Sequence, residues 1–445
     1  MKIKRRDFIK SGLTGASGLI MSSSLPALPI FSLTEEKGVM TISFSGTSCT
    51  RDEGEVSREE SDKNIYLPST GYIPVRIVSE LKTFGMTIRG AGENDWAHTR
   101  ETSEPLMVNG PLNVPDELLS DISGYTTGNQ FRKYKEPFLG WSMPALALHG
   151  ANLSAASKAS VFNFIGHSRG ACEAIMAAWF LYAYGDEEMR NTPINIFAID
   201  PVPGPGTWWS ILTQLPPNVV NYVGIYSWDQ SYNLNIQDHA FQALVPRPNG
   251  RMRGESNEIA TNSQSWWSWI QRYPSWASMA DSVQQADPLA PDNNRPQPIG
   301  YDLYACRGRH STVAGNTTSD GYYNADKVSS SVAPVPELIY KIARGYLTKW
   351  GSTFAVPCAV EQSVFELRKE IHTFHRDFDI MGGGETRNSN TLSGRPYVRR
   401  ISSIWGRNPN DTYYMDDVVG DPPYKLVYPV TKDRRNKGWV DWKFL

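Results

Sequence analysis

The chain has 445 residues, with 44 Lys and Arg against 46 Asp and Glu and a formal net charge of -2. That balance creates no global field for nucleic acid or for an anionic membrane surface, and no Lys/Arg-rich block follows the first ten residues. Hydrophobic residues at 40% and charged residues at 20% are ordinary for a globular protein with room for one or two domains.

The N-terminus is the first informative segment. Lys2, Lys4, Arg5 and Arg6 form a basic start, and a mild apolar stretch interrupted by glycine and serine follows. It is too short and too weakly apolar for a membrane anchor, so residues 1–32 read as a signal peptide. Arg5-Arg6-Asp7-Phe8-Ile9-Lys10 resembles the twin-arginine export signal R-R-x-F-L-K. The expected location is the periplasm or the outside of a bacterial cell. Cysteines 49, 172, 306 and 358 match no zinc spacing. Cys172 is expected inside a helix. In an oxidising compartment one disulfide among Cys49, Cys306 and Cys358 is expected, with the pairing open.

Short apolar runs, each ending in Gly, Asp or His, organise the rest. Val39–Ser45 is rich in β-formers. Tyr72–Phe84 carries Ile73, Ile77 and Leu81 at helical spacing. Met86–Ile88 leads into Arg89-Gly90-Ala91-Gly92, a strand with a glycine turn. Val161–Ile165 reads as a buried strand, and Arg169–Tyr184 as a helix stopped at Gly185. Ile194–Ile199, Val219–Ser227 and Tyr301–Cys306 are further strands. Strands alternating with helices predict an α/β fold with a mainly parallel sheet flanked by helices. Residues 93–141 and 230–298 read as insertions. Residues 331–445 form a C-terminal extension with helices at Glu337–Trp350 and Glu361–Arg376 and a polar tail of unknown role.

The chemical signal is Gly166-His167-Ser168-Arg169-Gly170 between a strand and a helix, a G-x-S-x-G nucleophile elbow. Such a turn needs small neighbours and projects the serine above the helix N-terminus, where backbone N–H groups face a developing oxyanion. A serine nucleophile needs a base, and the base an orienting acid. His310 follows a strand and opens a loop, which suits the base. His239 lies inside an insertion, and His167 reads as a packing or hydrogen-bonding residue. Asp200 and Asp229 both end strands and compete for the acid, with Asp200 favoured. The expected oxyanion donors are the Arg169 N–H and the turn at Gly46 and Thr47.

These motifs resemble an α/β-hydrolase family with a G-F-S-R-G-A elbow, which includes phospholipase effectors of type VI secretion. The family's F-D-G-T is matched by Phe44-Ser45-Gly46-Thr47, and its G-[VI]-G turn by Gly90-Ala91-Gly92. Its elbow is matched by residues 166–171, its D-T-V by Asp200-Pro201-Val202, and its H-S-D-V-G-G by His310 to Gly315. The matches are in family order over roughly residues 39–320. The resemblance implies an α/β-hydrolase domain over 33–330, a Ser168–His310–Asp200 triad, no cofactor, and a lipid or phospholipid ester as substrate. Two family aspartates are replaced here, by Ser45 and Thr312.

Two weaker signals remain. Trp266, Trp267, Trp269 and Trp276, with Tyr273, sit in the second insertion, either packing a cap or meeting a lipid interface. Trp208 and Trp209 could join that wall. His372, His375 and Asp377 share a helical face and read as a solvated polar face rather than a metal site. The expected function is a serine esterase or lipase. The alternatives are a non-catalytic scaffold of the same fold and an acyltransferase.

Overall fold

The computed structural model describes residues 38–56, 65–98, 105–123, 139–204, 207–229, 242–248, 300–318, 330–375, 378, 399–402, 413–415 and 442–445. The predicted signal peptide, the tryptophan cluster at 266–276 and Asp377 lie outside them. From Gly38 to Leu445 the chain forms one compact unit.

Seven strands form one sheet: β1 (Val39–Phe44), β2 (Phe84–Ile88), β3 (Val161–His167), β4 (Ile194–Ile199), β5 (Val219–Ser227), β7 (Gly300–Cys306) and β10 (Trp442–Phe444). Their order is β10-β7-β5-β4-β3-β1-β2, and every pairing is parallel. A parallel sheet needs crossovers that cover both faces. The residues comply by alternating between two cores. Phe162 and Phe164 of β3 and Ile194, Ile196 and Ala198 of β4 point to one, whereas Ile165, Phe197 and Ile199 point to the other. A second, small sheet joins β6 (Ala243–Leu244) to β8 (Arg400–Ser402) and β8 to β9 (Tyr413–Tyr414).

The helices divide accordingly. The first core takes α2 (Asp116–Ser123), α3 (Met143–Ser157) and α4 (Arg169–Tyr184). The second takes α1 (Ile73–Ser79), α5 (Pro334–Lys349) and α6 (Val364–Thr373). Helix α6 starts with a full capping box, Ser363 with Glu366, which satisfies two backbone donors reciprocally.

Several predicted elements appear with small boundary shifts. The run at 72–84 divides: α1 ends at Ser79, and Phe84 already opens β2. Helix α3 was not anticipated, because its face is apolar nearly all round and carries no amphipathic signal. Part of the first predicted insertion is core: Leu106, Val108, Leu112, Leu118 and Ile122 are buried. Helix α3 clamps that segment by its backbone. Asn152 donates to the carbonyls of Met107 and Val108 and accepts from Leu112 N–H, and His149 Nδ1 accepts from Met107 N–H at 2.8 Å.

Polar side chains cross the buried sheet near the amino ends of its strands. Asn221 donates to Asn195 at 2.5 Å, Asn195 to Asn163 at 2.7 Å, and Asn163 to Ser352 Oγ at 2.9 Å. This amide ladder follows the register, in which Asn163 faces Asn195 and Asn195 faces Asn221. Each amide supplies both a donor and an acceptor, so burial does not orphan it.

The expected disulfide does not form: all four cysteines, each described, are thiols. Cys49 follows β1, Cys306 ends β7, and Cys358 lies between α5 and α6, so the fold hands them to separate elements. Burial raises the Cys306 thiol to about 12, which keeps it protonated and unreactive.

Two glycine substitutions test the packing. A Cβ at Gly170 would sit 2.2 Å from the Phe44 carbonyl oxygen, whereas one at Gly345 in α5 meets nothing within 4 Å. Gly170→Ala is expected to destabilise by about 1–3 kcal/mol or more. Gly345→Ala should stabilise by roughly 0.5–1 kcal/mol. Urea unfolding of both variants checks this, and equal effects would mean that the close approach of β1 to α4 is not as described.

Candidate functional site

In the sheet, β1 leads out to the edge strand β2, and the chain returns to β3 on the other side of β1. Connections therefore diverge between β1 and β3, the kind of switch point at which α/β sheets build sites beyond their carboxyl ends. Ser168 follows β3 at this position.

Ser168 has φ 58° and ψ -125°, a strained conformation for a residue with a Cβ. The two flanking glycines permit it. A Cβ at Gly166 would meet the Gly170 carbonyl oxygen at 2.4 Å, and one at Gly170 would hit β1. The Ser168 N–H donates to the Ile199 carbonyl at 3.0 Å, and its carbonyl accepts from Val202 N–H at 3.2 Å. The strained turn is thus strapped to the end of β4.

Three side chains converge there. His310 Nε2 lies 2.9 Å from Ser168 Oγ, and His310 Nδ1 lies 2.7 Å from Asp200 Oδ2. A carboxylate only accepts, so Nδ1 carries the proton and Nε2 accepts from the serine hydroxyl. Ser168 and His310 are each 7% exposed, and Asp200 is fully buried.

Asp200, at φ 42°, is held from several sides. Ser227 at the end of β5 donates its N–H to Oδ1 at 3.3 Å and its hydroxyl to Oδ2 at 3.0 Å. Arg399, itself fully buried, brings a guanidinium nitrogen to 2.9 Å from Oδ2. Burial pushes the Asp200 carboxyl up, but Arg399, His310 and Ser227 together hold it below its ordinary value. His310 is pulled below the ordinary imidazole value by burial first; Asp200 opposes this and Arg399 adds to it.

The competing aspartate has other work. Asp229 forms a two-pronged ion pair with buried Arg307, at 2.8 and 2.9 Å, and accepts from Gly308 N–H at 2.8 Å. It therefore fixes the stretch that leads into His310 and does not reach the imidazole's hydrogen bonds.

His167 joins the loops around this centre. Its Nε2 lies 3.1 Å from the His310 carbonyl oxygen, so Nε2 carries the proton. Its Nδ1 then accepts from Tyr72 hydroxyl at 3.0 Å, and that hydroxyl accepts from Gly46 N–H at 2.7 Å. Burial above all, with His310 beside it, lowers His167 to about 3, so the ring is neutral and this tautomer is fixed. The relay corrects one expectation: the Gly46 N–H is committed to Tyr72 and does not face a substrate oxygen. Thr47 stays beside the elbow, its hydroxyl accepting from Arg169 at 3.3 Å. Arg169 also donates to the Pro203 carbonyl at 2.9 Å.

Other sequence candidates fall elsewhere. Trp208 and Trp209 are buried in the first core. His372 is not on a solvated face: it is 5% exposed, lies against Phe444 at 6.1 Å, and is lowered to about 4 chiefly by burial. No group of three metal-ligating side chains occurs among the described residues. Sequence reasoning missed Arg399, Tyr72 and Ser227. Ser227 alone carried a signal, as the last residue of a predicted strand.

Two substitutions probe these supports. The unfolded state binds a proton on His167 below about pH 6.5, whereas the folded state binds it only near pH 3. Stability from this residue is therefore complete above pH 6.5 and lost as pH falls toward 3. Between pH 6 and 4 the wild type should lose about 1.4 kcal/mol per pH unit more steeply than His167→Gln in urea titrations; parallel slopes would contradict a neutral His167. Asp229→Ala strands buried Arg307 and should destabilise by about 3–5 kcal/mol, read in the same assay.

No family model matches the sequence, and no curated protein matches it. Among solved structures, the chain is similar to an uncharacterized protein from Pseudomonas aeruginosa, with 12% identity and a TM-score of 0.34. The alignment covers 80% of this chain and 52% of that one, so the chain spans about half the length of that protein.

Proposed function

We propose that this chain is a serine hydrolase of the α/β-hydrolase type that cleaves carboxylic esters. The observation that carries the reading is the hydrogen-bonded series Ser168–His310–Asp200, with the serine in a strained strand-to-helix turn. Three groups separated by up to 142 positions in sequence meet within hydrogen-bonding distance, in the protonation states that nucleophilic catalysis needs.

Ser168 Oγ attacks the acyl carbonyl while its proton passes to His310 Nε2. Asp200 holds the ring and stabilises the imidazolium. The tetrahedral oxyanion accepts hydrogen bonds from the backbone N–H groups of Arg169, at the first position of α4, and of Thr47. The positive end of α4 adds to that stabilisation. Collapse expels the alcohol, which takes the proton from His310. Water, activated by the same imidazole, then releases the acid and restores Ser168. Buried Asp200 stays ionised throughout, because Arg399 and Ser227 oppose the cost of its burial.

The substrate class in this proposal is an acyl ester of a lipid or phospholipid, on the strength of the sequence resemblance. The twin-arginine-like start supports export as the setting. No described helix is long and apolar enough to cross a membrane.

A fluorophosphonate probe and p-nitrophenyl esters test the chemistry. The wild type should be labelled, and Ser168→Ala and His310→Ala should not. Ester turnover should fall by about 10⁴-fold or more in Ser168→Ala. Asp200→Asn, which disturbs the tautomer, should cost roughly 10³–10⁴-fold. A folded wild type that resists the probe, or a Ser168→Ala variant with undiminished turnover, would sink the proposal in favour of a non-catalytic scaffold.

A further inference from the structure

We propose that Arg399, delivered by the C-terminal tail, is a positioning residue that keeps His310 neutral, and the site active, at a lower pH than a Ser-His-Asp set without it. The inference rests on the hydrolase reading and extends it to the pH dependence of the same site.

The geometry is specific. Arg399 and His310 address the same carboxylate oxygen, Asp200 Oδ2, at 2.9 and 2.7 Å. The guanidinium also stands 3.4 Å from His310 Nδ1. Nδ1 carries a proton, so that approach sets a fixed cation beside a ring that would have to become a cation itself. The arginine is held by its own backbone: its N–H donates to the Trp228 carbonyl at 3.0 Å, and its carbonyl accepts from Met415 N–H at 2.9 Å. Just beyond it, Ile401 of β8 pairs with Ala243 of β6. Residues 399–402 are therefore attached beyond the carboxyl end of β5, immediately beside Asp229.

The electrostatic consequence follows from the surroundings. The ring of His310 meets Ser168 from the elbow, Asp200 from the end of β4, Arg399 from the tail and the ring of His167 from β3 at 4.7 Å. His167 is neutral. Asp200 meets Ser227 from β5, and the β5 phenols Tyr222 and Tyr226 are kept protonated by burial. Protonation of His310 is thus governed by a carboxylate whose charge is largely matched by a guanidinium. In a low-polarity site an unmatched Asp200 would favour the imidazolium strongly. Matched, it still orients Nδ1 but stabilises the charged ring less. Removing Arg399 raises the acid limb by either of two routes. Asp200 remains ionised and attracts a proton to His310, or Asp200 itself becomes protonated and ceases to orient the ring.

The test follows the fluorophosphonate labelling rate between pH 4 and 9 in wild type, Arg399→Met and Arg399→Lys, with the His310 imidazole followed by nitrogen NMR in each. The expected wild-type imidazole midpoint is below the ordinary 6.5. Arg399→Met should raise the labelling midpoint by about one pH unit, so that labelling at pH 5, taken relative to the variant's own rate at pH 8, falls at least about fivefold further than in the wild type. Arg399→Lys should recover most of that shift, which a purely structural role would not give. A folded Arg399→Met with the wild-type profile overturns the proposal. If Arg399→Met does not fold, a wild-type midpoint at or above 6.5 overturns it equally. A His310 midpoint that is low in the wild type and rises in Arg399→Met, without labelling at any pH, would retain the electrostatic role and defeat the hydrolase reading alone.

Discussion

A fully buried carboxylate is the constraint to which the rest of the site answers. Asp200 has no access to water, and an ionised carboxylate in that position is unstable unless several donors surround it. The fold supplies them from distant parts of the chain: Ser227 at the end of β5, His310 after β7, and Arg399 from the tail. Each donor fixes the position of the element that carries it. The imidazole that hydrogen-bonds Ser168 is therefore oriented by the same interactions that make the carboxylate tolerable. Positioning and charge compensation are one arrangement.

A neutral histidine performs a parallel task on the other side of the elbow. His167 links Tyr72 and, through it, the Gly46 N–H to the backbone of His310. The loop after β1 and the loop after β7 are thereby tied to the turn that carries Ser168. Protonation of this ring would place a second donor opposite the Tyr72 hydroxyl and reverse the direction of the relay. Burial prevents that at ordinary pH.

Much of this was legible in the sequence, and the reasons are physical. A parallel sheet buried on both faces writes itself as short apolar runs, and β4 and β5 were found at their observed limits for that reason. Gly166 and Gly170 are demanded by backbone contact, so the elbow was readable from composition and spacing. Asp200 is favoured over Asp229 in the sequence and implied by the resemblance, but position at a strand end does not by itself separate them, because both follow parallel strands. In the structure Asp200 reaches His310, whereas Arg307 occupies Asp229. Arg399 was illegible for a stronger reason. It lies in a polar stretch without periodicity, and its burial depends wholly on the charge it meets. The Gly46 N–H was assigned to an oxyanion because nothing in sequence announces that Tyr72 will reach it.

The amide ladder of Asn163, Asn195 and Asn221 lies at the opposite end of the strands from Ser168 and Asp200, yet it bears on them. Five positions separate Asn163 from Ser168, and five separate Asn195 from Asp200. Side chains alternate along a strand, so a slip of one residue would turn an asparagine toward the wrong face and strand its amide in hydrocarbon. The ladder thus acts as a vernier. Setting two amides level at the foot of the sheet sets Ser168 and Asp200 level at its head, and a phase error at one end would be expressed as misalignment at the other.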